Sequence, residues 1–172
     1  MSRTILYNIL RFIILVFVQV FLLKNITLYN LSTPYLYILF VLLLPFEIPN
    51  LLLFPLAFIL GLTIDGFYDT PGLHAAACVL LALVRVMFIS ITVQKEGFDN
   101  EPEPTLSIMG FRWFFTYAVV LTLIHHFFLF LLEAFSFSNL LFILERVVTS
   151  SIFTVFLMLI TGLLFFRKRE RK

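Results

Sequence analysis

Asp65, Asp69, His74 and Cys78 fall in one stretch, GLTIDGFYDTPGLHAAAC, which runs from Gly61 to Cys78 in a chain that is otherwise almost oil. Two carboxylates and an imidazole this close together could in principle bind a divalent cation or activate a water. The spacing does not complete either chemistry. A catalytic zinc site needs three protein ligands, and no closed metal motif has this pattern. The single cysteine, Cys78, rules out an internal disulfide and a cysteine-cluster metal site. The chain has no G-x-S-x-G, no H-E-x-x-H and no phosphate loop, and Ser150 and Ser151 lack a glycine elbow. The residues therefore point away from an enzyme, and neither metal nor cofactor is expected. A structural joint accounts for the same residues. Pro71-Gly72 ends any helix reaching it. Asp69 or Thr70 can cap a helix whose start Pro71 marks. Asp65 can accept backbone N–H bonds in the turn, while Gly61, Gly66 and Gly72 permit the turn and close helix contact.

Other ionisable residues lie deeper. His74, Cys78, Ala82 and Arg85 share one face of a helix, with Ala75, Ala76 and Ala77 beside them. Small residues let membrane helices approach closely, so this helix is expected to be central. Arg85 lies about three turns below His74. A charge at that depth costs about 2.5–3.5 kcal/mol on insertion scales, so it must pair, line a wet cavity, bind carbonyls or snorkel. Glu145 is a candidate partner but sits nearer the outer face, which argues against a direct pair. His126 and Glu133, seven residues apart, share a face and could form a proton relay. Glu133 belongs at the interface, though, where a carboxylate is cheap, and packing roles are expected instead. Glu145 with Thr149 is expected to face protein, and Arg146 to snorkel outward.

These residues must be positioned by membrane helices. The 172 residues are 62% apolar and only 13% charged, with a mean hydropathy of +1.08. A water-facing surface cannot be covered with so few charges, so the bilayer is the solvent. The expected fold is an all-α integral membrane protein, one transmembrane domain over 1–172. Six transmembrane helices are expected, at about 5–23, 34–46, 50–66, 73–92, 111–133 and 140–166. The second and third are expected to be short or tilted around Pro45, Pro49 and Pro55; one kinked helix there would give five spans. Arg11 and Gln19 cross the first helix, Arg11 being expected to snorkel to the interface. With six spans, Arg3, Lys95, Arg112 and the basic tail 167–172 share a side against Lys24 alone, which places both termini in the cytoplasm. The N-terminus shows no cleavable signal and should stay as the first helix. The acidic loop 94–110 reads as a cytoplasmic linker or a docking strip. The tail, directly after a membrane helix, reads as an anchor to anionic lipids rather than a nucleic-acid site.

The order of features resembles the MreD family of the bacterial cell-elongation machinery. The matching pieces are RFIILVFVQVFLLKNI with Gln19, TPYLYILFVLLLPFEIP, and LAFILGLTIDGFYDTPGLHAAACVLLALVR with Gly61, Leu62, Asp65, Gly72, His74 and Ala75. The likeness is strong over the first ninety or so residues and rests on layout after Gly110. It implies a non-enzymatic scaffold in the bacterial cytoplasmic (inner) membrane that maintains rod shape and lateral peptidoglycan synthesis. The partners implied are an MreC-like bitopic protein and, indirectly, an MreB-like actin homologue and synthases of the RodA and penicillin-binding type. The resemblance also implies a fold shared with the substrate-binding subunits of energy-coupling-factor vitamin transporters, so a small-molecule carrier subunit is the alternative. Those subunits usually dock through a small-xxx-small alanine motif in the first helix, whereas residues 5–23 contain no alanine or glycine. A third class, an intramembrane hydrolase around Asp65, Asp69 and His74, lacks nucleophile and metal spacing.

Overall fold

The computed structural model describes residues 2–26, 32–96, 103–135 and 139–165. The fold is all-helical, with five helices long and apolar enough to cross a membrane. The first is α1 (Ser2–Phe17), continued without a break by a π-helical turn, Val18–Leu23. Its buried stripe explains that turn. Arg11, Leu15, Gln19 and Leu23 all face inward at a strict spacing of four. A regular α-helix would rotate such a stripe by about 40° at each step. The wider turn, closed by Lys24 N–H on the Gln19 carbonyl at 2.8 Å, keeps Gln19 and Leu23 in phase with the core.

The chain then does something the hydropathy pattern does not announce. Residues 34–46 do not form a spanning helix. They form a 3₁₀ turn, Leu36–Ile38, and a single α-turn, α2 (Leu39–Leu42), between Pro34 and Pro45. The helical part is only about 12 Å long and cannot cross the hydrocarbon layer as a helix. Every residue from Tyr35 to Leu44 is buried. The segment lies inside the bundle, walled by α1 on one side and by three later helices on the others. The six-helix expectation thus reads as five long helices and one broken, enclosed segment. The prolines set its length, since each removes an amide donor and stops a helix from reaching past it.

The remaining long helices are α3 (Asn50–Tyr68), α4 (Leu73–Glu96), α6 (Phe111–Ala134) and α7 (Leu140–Phe165), with a one-turn helix α5 (Leu106–Met109) before α6. The third expected span is therefore neither short nor broken. Pro55 sits in the second turn of α3, where it removes one hydrogen bond and leaves the remaining turns intact. Neighbouring long helices alternate in direction from α3 through α7. Tyr7, Leu10 and Arg11 of α1 line the same cavity as Thr161 and Phe165 of α7, so the start of α1 and the end of α7 share one end of the bundle. An odd number of long helices can do this because residues 32–49 carry the chain back through the core.

α3 and α4 make the most intimate pair, and Gly61 is the reason. A Cβ at Gly61 would overlap the Ala75 backbone and the His74 carbonyl oxygen. Gly72 has φ +85° in the turn between the helices, where a side chain is strained. Gly66, expected to share this work, has nothing within 4 Å of its added Cβ and faces outward. It is not needed for the contact.

Two expectations concern the ends of loops. The stretch from Glu103 to Gly110 is not a free linker: Pro104, Thr105, Leu106 and Met109 are buried, and Leu106 packs on Gly162 of α7. Residues 97–102 of the acidic loop and the basic tail 167–172 lie outside the described residues.

Replacing Gly61 with valine forces α3 and α4 apart. Overpacking of this kind costs about 1–3 kcal/mol, and more against immovable backbone. Thermal unfolding of the detergent-purified protein should show a clear drop for Gly61→Val, while Gly66→Ala stays within about 0.5 kcal/mol of the wild type.

Candidate functional site

The polar residues gather around the enclosed segment at its two ends. At the carbonyl end, Leu44 N–H turns back onto the Val41 carbonyl at 3.4 Å and Ile48 N–H onto the Pro45 carbonyl at 3.4 Å, which leaves the C=O groups of Leu42, Leu43 and Leu44 without a backbone donor and that of Pro45 able to accept a second. Those groups are taken by side chains. The Tyr117 hydroxyl donates to the Leu42 carbonyl at 2.9 Å. Arg11 Nη1 donates to the Leu43 carbonyl at 2.8 Å. Arg85 Nη2 donates to the carbonyls of Leu44 and Pro45, the latter at 3.1 Å. Four consecutive carbonyls thus meet one phenol and two guanidinium groups from α1, α4 and α6. A carbonyl without a donor at this depth has no water to turn to, which is why charged donors are tolerated here.

Arg85 is 2% exposed, so it does not snorkel, and it does not pair with Glu145. Glu145 is exposed on the outside of α7, and so does not face protein. Arg85 is one of the carbonyl-bound arginines that the sequence allowed. Arg11 departs further from expectation. Instead of reaching to the interface it turns inward, where it also pairs with Glu103 at 3.0 Å and packs over the Tyr7 ring. The acidic stretch after α4 therefore contributes a carboxylate to the bundle.

At the amide end the donors and acceptors are reversed. Thr33 N–H donates to Ser150 Oγ at 3.1 Å and Tyr35 N–H to Thr154 Oγ1 at 3.0 Å, both on α7. Gln19, held inward by the π turn, donates to the Pro34 carbonyl at 3.0 Å and contacts the Tyr68 hydroxyl at 2.8 Å. Its Oε1 accepts from Tyr37 N–H at 3.4 Å. Ser150 and Thr154 are four apart, so one face of α7 serves two amides of an extended strand of backbone.

From Thr154 a hydrogen-bonded chain crosses the core through all three histidines. Thr154 Oγ1 lies 3.1 Å from His126 Nε2, and His126 Nδ1 lies 3.3 Å from His125 Nδ1. His125 Nε2 is 3.1 Å from the Tyr37 hydroxyl, which is 2.8 Å from His74 Nδ1. The Thr154 hydroxyl has two lone pairs and one proton, so it can take the Tyr35 amide and still either donate to or accept from His126 Nε2, and the direction of the chain follows the histidine tautomers. His125, His126, Tyr37 and Thr154 are fully buried and His74 nearly so.

The expected joint between α3 and α4 takes shape through Asp65 alone. Its Oδ1 accepts from His74 N–H at 2.9 Å and from the Thr70 hydroxyl at 2.9 Å, and its Oδ2 accepts from Ala75 N–H at 3.0 Å. A carboxylate from α3 thus caps the first turn of α4. Asp69 does not cap. It closes α3 in the left-handed conformation at φ 56°, with an exposed side chain. Thr70 helps by holding Asp65 rather than by capping. The two aspartates and His74 therefore do not converge: the Asp65 oxygens face backbone amides, and the His74 ring points to Tyr37.

His126 and Glu133 do not form a relay. Glu133 pairs with Arg146 at 3.2 Å, and the Arg146 guanidinium lies 4.3 Å above the Phe130 ring. Arg146, expected to snorkel away, instead staples the ends of α6 and α7. Tyr37, Tyr117, His125, Ser150 and Thr154 were not picked out by sequence reasoning as site residues. The available signal was in α6. Tyr117-Ala118, Leu121-Thr122, His125-His126 and Leu129-Phe130 are all buried, two adjacent residues per turn, so the helix buries a wide face. That pattern requires something packed against both residues of each pair, and the enclosed segment supplies it.

Chemically, this arrangement binds backbone. Its bases and hydroxyls are buried and committed to one another; the grooves between α4 and α6 and between α6 and α7 are lined by other residues, and the groove between α1 and α7 meets the arrangement at Arg11, Leu39 and Leu43. Arg85→Met should leave the buried Leu44 carbonyl without a donor, at a cost of about 1–3 kcal/mol, and so lower the unfolding temperature markedly. Glu145→Gln should leave it unchanged. Equal effects of the two substitutions would restore the ion-pair reading. In comparisons with protein-family models, with curated proteins and with solved structures, nothing matches this chain.

Proposed function

We propose that this chain is a non-enzymatic scaffold of the bacterial cell-elongation complex, a member of the MreD family that binds an MreC-like bitopic partner in the inner membrane. The observation that carries the reading is the identity of the residues in the α3–α4 joint. The stretch with the most specific resemblance is the one that builds it: Gly61 at the helix crossing, Asp65 on the first turn of α4, Gly72 in the turn, and His74 and Ala75 as the capped amides. A motif whose residues all hold two helices together fits a protein that presents surfaces rather than one that turns over a substrate.

The bundle end that holds the start of α1 and the end of α7 is assigned to the cytoplasm. Arg112 lies at this end, and the chain segments carrying Arg3, Lys95 and the basic tail lead to it, while Lys24 sits at the other end on the Phe67 carbonyl. Through the MreC-like protein the scaffold would connect an MreB-like filament to synthases of the RodA and penicillin-binding type. The carrier alternative needs a ligand chamber in the outer half. There the rings of Tyr35, Tyr68, His74 and His126 pack on one another at centroid distances of 5.3 to 6.3 Å, which favours the scaffold.

Affinity purification from gently solubilised membranes should recover an MreC-like single-span protein with the tagged chain, and depletion of the chain should turn rod-shaped cells round. Unaltered shape after complete depletion would refute the assignment. A stoichiometric small molecule that co-purifies and raises thermal stability at micromolar concentration would favour the carrier.

A further inference from the structure

One groove has a chemistry that neither the segment nor the joint uses. It lies between the C-terminal half of α4 and the first turns of α6, has a volume of about 450 Å³, and is lined by Phe88, Thr92, Met109, Arg112, Trp113 and Thr116. It opens at the bundle end shared by the start of α1 and the end of α7. It lies beside Thr92, where the apolar sequence of α4 gives way to Gln94 and Lys95. In a bilayer this is the boundary between acyl chains and headgroups.

The lining asks for an anion. Arg112 is exposed, and its guanidinium has no acidic partner among the described residues. Trp113 is only 8% exposed, and its indole Nε1–H is buried with no acceptor among the described residues. The ring cannot swing to find one. It stacks on Tyr117 at 4.8 Å and is held edge-on by Phe88 at 5.7 Å and Phe46 at 6.5 Å. The hydroxyl protons of Thr92 and Thr116 are used on carbonyls one turn back, at 2.8 and 3.0 Å. Arg112 therefore remains as the donor that the groove exposes, while the Trp113 ring forms part of its wall. Phe88 and Met109 give the groove apolar walls.

We propose that this groove binds the phosphate headgroup of an anionic phospholipid from the leaflet at that end, with Arg112 as donor and Phe88, Met109 and the Trp113 ring against the first methylenes of the chains. The lining contains no carboxylate, so the ammonium of a zwitterionic headgroup would have no partner there. This site is separate from any diffuse attraction of lipids to the tail 167–172. It orders one lipid between two helices of the bundle.

Native mass spectrometry of the full-length protein, released from micelles containing phosphatidylglycerol or phosphatidylcholine, tests the site. The tail is present in every sample, so differences between variants report on the groove. Wild type should retain one phosphatidylglycerol in preference to phosphatidylcholine. Arg112→Gln should reduce that occupancy about fivefold, the loss expected for one basic contact near a charged surface. Arg112→Lys should keep part of it. Arg112 is exposed, so Arg112→Gln is expected to fold and can carry the test alone. Equal retention by wild type and Arg112→Gln, equal retention of the two lipids, or displacement of the lipid by millimolar inorganic phosphate would each overturn the proposal.

Discussion

Backbone that is not helical cannot face hydrocarbon, because each N–H and C=O would lose its water partner and gain nothing. This constraint organises the whole molecule. Residues 32–45 include extended backbone and two single turns, so many of their polar groups lack an internal partner. The chain places them where four long helices can close around them, and it then supplies donors and acceptors one by one. Gln19 and Arg11 come from α1, Arg85 from α4, Tyr117 from α6, and Ser150 and Thr154 from α7. Each would be costly alone in a membrane helix. Together they replace the water that the segment gave up.

The same constraint explains why the close helix crossing sits where it does. α3 and α4 must bring Arg85 and His74 toward the segment from one side. Gly61 removes the side chain that would hold them apart, and Asp65 holds the first turn of α4 by its amides. His74 is then positioned by its backbone on one side and by Tyr37 on the other. The histidine chain to Thr154 ties α4, the segment, α6 and α7 into a single network. Removing any member leaves its neighbours unpaired in a medium that offers no substitute.

The long spans were legible because each is a stretch of at least 19 residues whose mean hydropathy stays high despite its few polar residues. The enclosed segment was not, for a physical reason. LYILFVLLL is as apolar as a lipid-facing helix, since burial on all sides by protein and burial in lipid select the same residues. Only the short distance between Pro34 and Pro45 told against a span. Arg85 could be read as needing carbonyls, yet nothing local says which, because Leu44 and Pro45 lie some forty residues earlier. Asp65 was readable as an acceptor of amides, and Asp69 was misread as a cap because its spacing before Pro71 is as good. The Arg11–Glu103 pair joins residues 92 apart and leaves no mark in any window of sequence. His125 and His126 looked divergent on a helical wheel. They converge because the segment presents Tyr37 to one while α7 presents Thr154 to the other.

The central claim is that residues 35–44 are enclosed structure, fixed by side chains from four helices, and not a surface loop or a lipid-facing span. Amide hydrogen exchange of the protein in lipid nanodiscs, followed by mass spectrometry of peptides covering this segment, addresses it most directly. The account predicts protection comparable to that of α4 in the wild type and faster exchange confined largely to residues 35–44 in Arg85→Met. Rapid exchange of the segment in the wild type, or protection indifferent to Arg85, would contradict it.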